Sequence, residues 1–124
     1  MSQKGNTQLT IIFTATPDLV EEGDQIFESH ARWMEGSHHR DGDKSLLTYN
    51  VAKGPELSNP LDPSSGPTGN TSFVVMEIYQ SQAGVDDHWQ KAAEGWADFP
   101  RLAAWGDRCK VTTLHGSPVV QSLW

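Results

Sequence analysis

The hydrophobic pattern switches between two periods along the chain. QLTIIFTA, residues 8 to 15, is β-branched and aromatic with near-alternation, which predicts a first strand. Thr16, Pro17 and Asp18 then read as a helix start: an N-cap hydroxyl, a proline where no amide hydrogen is needed, and an acid against the positive end of the dipole. In that helix Val20, Phe27, Ala31 and Met34 are expected on one apolar face, with Ile26, His30 and Trp33 along its flank and Gly36 as the stop. KSLLTYNVA, from about 44 to 52, predicts a second strand, and SFVVMEIYQ, residues 72 to 80, a third. Ser81 stands where it can cap a second helix, whose stripe is Val85, Trp89, Ala92, Ala93 and Trp96. A short helix, FPRLAAW, is closed by Gly106, and CKVTTLHG predicts the fourth strand.

Two segments fall outside this pattern. KGPELSNPLDPSSGPTGN, residues 53 to 70, holds four prolines and reads as one long loop, of the kind that is either a functional cover or disordered. The apolar tail, residues 117 to 124, is expected to reach across to a partner. The resulting β-α-β-β-α-β order gives an α+β class, a ferredoxin-like single domain over residues 1 to 124 with its helices on one face of the sheet. Strand three is apolar on both of its alternating sets, with Phe73 and Val75 beside Glu77 and Tyr79 on one and Val74, Met76 and Ile78 on the other. A sheet apolar on both faces buries both, so a homodimer through the sheet faces is expected.

Composition sharpens this in three places. A hydrophobic content of 36% and a mean hydropathy of -0.52 are low for a compact monomer, which supports a partner that completes the core. A net charge of -7 argues against nucleic acid and anionic membrane surfaces, since both are bound through Lys and Arg. No apolar run approaches the roughly 20 residues of a membrane span, and MSQKGNTQ has no apolar segment of the signal-peptide type, so a cytoplasmic location is expected. Cys109 is alone, which excludes an internal disulfide and a thiolate metal cluster within one chain, and it reads as a small structural thiol.

The candidate chemistry sits in FVVMEIYQSQAGVDDHWQ, residues 73 to 90. His88, beside Trp89 at the edge of the helical stripe, is the first candidate for a general base or a donor to a phenolate; its other reading is a core histidine bonded to the backbone. His30 and Trp33 line the same space from the first helix or are plain core. Tyr49 faces either a substrate oxygen or a structural acceptor, and Asn50 then points the other way. Glu77 in an apolar strand requires a hydrogen-bonded partner; unpaired, its pKa would rise and it would become a competing base. His38 and His39, in the polar turn GSHHRDGD, read as solvated, with no metal-binding spacing around them.

The strand FVVMEIYQS followed by VDDHW resembles the antibiotic-biosynthesis monooxygenase domain of the dimeric α/β-barrel superfamily, whose apolar strand carries Glu, an aromatic two residues on, and a helical His about nine residues later: here Glu77, Tyr79 and His88. LLTYNV is similar to that family's second strand, and the resemblance runs over roughly residues 8 to 115, with the segment at 53 to 70 longer than the family's hairpin. It implies a dimeric α/β barrel with a pocket between helices and sheet in each protomer, and oxidation of a small aromatic phenol or quinol by molecular oxygen without metal or flavin. His88 is then the expected catalytic residue, and His30, Trp33, Tyr49, Glu77, Tyr79 and Trp89 the expected substrate-binding residues. The alternative is a non-catalytic, haem-binding or haem-degrading protein of the same superfamily, with His88 or His30 as candidate axial ligands.

Overall fold

The computed structural model describes residues 2 to 124. Strand β1 (Thr7–Ala15) passes through a tight 3-10 turn at Pro17–Leu19 into α1 (Val20–Ser37). Strands β2 (Leu46–Leu57) and β3 (Pro67–Tyr79) form a hairpin, and α2 (Gln82–Gly95) and α3 (Phe99–Asp107) lead to β4 (Lys110–Pro118). The sheet order is β2-β3-β1-β4 with every pair antiparallel, an α+β arrangement compatible with a ferredoxin-like fold.

The registers fix which side chains share a face. Ile11 lies opposite Val75 and Thr113, and Tyr49 opposite Glu77, so the odd-numbered residues of β1 and β3 point at the helices together with Tyr49, Val51, Val111, Thr113 and His115. Burial in β3 alternates accordingly, with Phe73, Val75, Glu77 and Tyr79 buried and Val74 and Met76 half-exposed on the other side. The main core joins Phe13, Ala15 and Phe73 of the sheet to Leu19, Ile26, Phe27, Trp96 and Trp105.

Three expectations need correction. Residues 53 to 70 are not one long loop: β2 runs on to Leu57 and β3 begins at Pro67, leaving only 58 to 66 as the connection. Proline fits because β2 is an edge strand, with a register shift between Pro55 and Leu57, and Gly69 takes the left-handed φ of +101° that other residues avoid. The buried stripe of α1 is Gly23, Ile26, Phe27, His30 and Met34, with Ala31 exposed, so His30 is central to the stripe and not on its flank. In α2 the buried set is Gly84, Val85, His88 and Ala92, with Ala93 exposed. The tail runs beside the N-terminus of its own chain, where Gly5 N donates to Val119 O, Val119 N to Asn6 O, and Gln3 N to Ser122 Oγ, and it leaves Val120, Leu123 and Trp124 exposed.

Candidate functional site

Both helices turn a histidine into the layer above the sheet because each is spaced like an apolar residue: His30 lies three residues after Phe27, and His88 three after Val85. Under them β3 places Glu77 and Tyr79 two residues apart, on the same face. His30, His38, Glu77 and His88 are 4%, 8%, 1% and 2% exposed, so four titratable groups share one dry volume.

Their hydrogen bonds close almost completely. The Tyr79 hydroxyl donates to Glu77 Oε1 at 2.5 Å, and His30 Nδ1 pairs with the Tyr49 hydroxyl at 2.7 Å. His88 Nδ1 lies 2.8 Å from His38 Nε2 and 3.6 Å from Glu77 Oε1, while His30 Nε2 lies 4.0 Å from Glu77 Oε2. Trp33 walls the group from α1, 5.5 Å from the His88 ring and stacked on Trp96 at 5.4 Å.

Desolvation sets the electrostatics. Burial pushes the Glu77 carboxyl up to about 7, with the Tyr79 hydrogen bond opposing it. Burial likewise holds His30 and His38 down at about 4, helped by His38 beside His30 and by Lys91 beside His38. His88 is driven lower still, by burial first and then by His38 and His30, and both tyrosines are driven up by burial. Near neutrality the histidines are therefore uncharged, and Glu77 exchanges between carboxyl and carboxylate, a titration that belongs to the coupled group.

A small inner cavity of about 20 Å³ is lined by His30, Glu77, His88, Trp89 and aromatic and aliphatic neighbours, room for about one water. Outside it, between α3 and β4, runs an apolar groove of about 370 Å³ bounded by Phe99, Leu102, Ala103, Val111 and Thr113. Ile11, Phe13, Trp89, Phe99 and Leu102 line both spaces, so these side chains form the partition between groove and cluster. The Trp89 indole lies flat on His115 at 5.3 Å and 3°, and its buried Nε1–H has no hydrogen-bond partner.

All seven residues singled out in the sequence thus meet around one layer, with Tyr49 rather than exposed Asn50 facing inward. Glu77 has a partner in Tyr79 and, in addition, the raised pKa expected of an unpaired carboxyl. His38 is the residue that sequence reasoning misplaced: it is buried against His88, and only His39 is exposed, 3.7 Å from Asp87. The missed signal is spacing, since His38 continues the α1 stripe four residues beyond Met34.

His30, Glu77 and His88 each bring one donor atom within 4.8 Å of the others; His88 Nδ1 and Glu77 Oε1 are engaged with His38 and Tyr79, which leaves His88 Nε2 and Glu77 Oε2 as their atoms without a hydrogen bond. For haem, both imidazoles lie behind a cavity the size of one water. Neither the models of known protein families nor the curated proteins contain a match to this chain.

Proposed function

We propose that this protein is a cofactor-independent monooxygenase that oxidises a small aromatic phenol or quinol with molecular oxygen, as the resemblance of its Glu77, Tyr79 and His88 motif implies. The observation that carries the reading is a buried Glu–His cluster separated from an apolar, aromatic-walled groove by a single layer of side chains. Metal-free oxygenation requires the substrate to become an electron-rich anion in a dry site, because only the anion readily passes an electron to oxygen. His88 would take the phenolic proton when Glu77 is ionised, the carboxylate 3.6 Å from its Nδ1 offsetting the burial and the neighbouring histidines that otherwise hold the imidazole neutral. The orphan Trp89 indole N–H would donate to a substrate oxygen.

The groove's volume stands at the lower end of the roughly 300–1,000 Å³ range of small-molecule pockets, which favours a compact ring system. Reaching the cluster requires Trp89 and Phe99 to swing aside, since the inner cavity alone is too small for a ring. A second copy covering Ile12, Val74, Met76 and Leu114 would complete the dimeric barrel, as these apolar residues lie on the helix-free face.

Oxygen uptake by chelator-treated protein over a panel of anthrones, naphthoquinols and catechols tests the reading, with His88→Ala alongside. We expect uptake on one ring class and a loss of about 100-fold in the variant. No uptake on any of the three classes would sink the reading, and uptake untouched by the substitution would remove His88 from it.

A further inference from the structure

The direction of each hydrogen bond behind His88 can be followed from one end. Ser37 donates its single hydroxyl proton to the carbonyl of Trp33, 2.6 Å away and one helical turn back. Towards His38 Nδ1, at 2.9 Å, the Ser37 oxygen can then only accept, so Nδ1 of His38 carries the proton. His38 Nε2 is therefore a lone pair, and at 2.8 Å it accepts from His88 Nδ1. His88 is left with a bare Nε2 that has no protein partner among the described residues, on a ring that lines the inner cavity.

We propose that His38 is a positioning residue of this site: anchored by Ser37, it locks His88 in the Nδ1–H tautomer and so makes Nε2 the lone pair presented to a ligand. The chain is built into the fold at both ends. Lys91 of α2 donates to the Ser37 carbonyl at 2.8 Å and pairs with Asp87 at 3.0 Å, which clamps the last turn of α1 against the helix that carries His88. The groups that face these two rings are Glu77 and Tyr79 from β3, His30 from α1, Lys91 and Asp87 from α2, and His39 from the turn.

The consequence for catalysis, though not the tautomer itself, rests on the oxygenase reading. When a phenol reacts, its O–H bond breaks and its electron pair stays on oxygen. The proton forms an N–H bond at His88 Nε2, and the imidazolium keeps its Nδ1–H bond to His38. With the opposite tautomer Nε2 would already carry hydrogen and no proton could be received there.

The test is long-range proton–nitrogen NMR of the histidine rings in the full-length protein. The wild type should show His88 and His38 each protonated at Nδ1 and bare at Nε2. His38→Gln, whose amide oxygen can accept the same bond, should keep the His88 pattern, and His38→Leu should move His88 largely to the Nε2–H form. Should His38→Leu fail to fold, Ser37→Ala removes the anchor alone and should give His88 a mixture of both forms. A wild-type His88 protonated at Nε2, or a pattern unchanged in the Leu or Ala variant, overturns the proposal. Where uptake is measurable, His38→Leu should lower kcat about tenfold or more with KM little changed and His38→Gln should restore most of it; undiminished kcat in His38→Leu also overturns it. Absence of uptake in the wild type sinks the oxygenase reading and leaves the NMR result to decide the tautomer.

Discussion

At one end of the layer between helices and sheet, Phe13, Phe27, Phe73 and Trp105 pack ring on ring with centroids 5.3 to 5.7 Å apart. At the other end, along the same strand β3 and the same first helix and joined by α2, the equally buried residues are His30, His38, Glu77, Tyr79 and His88. The first end gains stability from every side chain it encloses, with one indole bond, Trp105 Nε1 to the Leu19 carbonyl, satisfying its only polar atom. The second must satisfy each polar group or lose stability. The contrast separates an apolar scaffold from the end that holds the candidate chemistry.

Substitution at the aromatic end should have the largest effect on folding. Trp105→Ala removes a side chain that is 1% exposed and should lower stability by about 3–5 kcal/mol in chemical denaturation. At the polar end the loss should be smaller. Glu77→Leu replaces a buried acid by a similar volume of hydrocarbon but leaves the Tyr79 hydroxyl without its acceptor, and we expect a loss of about 1–2 kcal/mol, together with loss of any oxygen uptake. A Leu variant that falls as far as Trp105→Ala would erase the distinction between the two ends.

Acid should expose the same difference without mutation. His30 and His38 have folded pKa values depressed from 6.5 to about 4, so the unfolded chain binds more protons in that window and stability falls as pH drops from about 6.5 to about 4. Each contributes up to ~3 kcal/mol by this linkage, and His88 acts in the same direction. Glu77 opposes them: its pKa is raised from 4.5 to about 7, so its term favours the fold at low pH and is lost as pH rises through about 7. Melting curves of Glu77→Gln should therefore show a steeper loss between pH 6.5 and 4.5 than the wild type; an equal slope would mean that the carboxyl does not titrate there.

The smallest effect on the fold should come from the helix-free face. Val74→Glu changes a half-exposed side chain and should alter monomer stability by no more than about 0.5 kcal/mol, yet it should convert a dimer to a monomer in light scattering. A monomeric wild type would remove that face from the proposed assembly.

Much of the scaffold end was legible from periodicity, since strands rich in β-branched residues and a stripe containing Phe27 and Met34 leave few alternatives. The polar end was legible only by residue type. Histidine counted as polar shifts the inferred stripes towards Ala31 and Ala93, whereas counted as a core residue it puts His30, His38 and His88 where they stand. The proline-rich stretch misled for a different reason, because a sequence does not say which strand is an edge, and only an edge tolerates Pro55.

Gly23 ties the two ends together. A β-carbon there would lie 2.6 Å from Trp105 Cζ2 and 2.9 Å from Phe73 Cζ, so α1 approaches the sheet more closely than any other residue would permit. From Gly23 the helix runs as a stiff rod for about 10 Å before it reaches His30, at 1.5 Å per residue. Gly23 is thus the fulcrum of a lever whose far arm carries the histidine bonded to Tyr49: one added methyl at the aromatic end would tilt the rod and be felt as a stretched bond at the other.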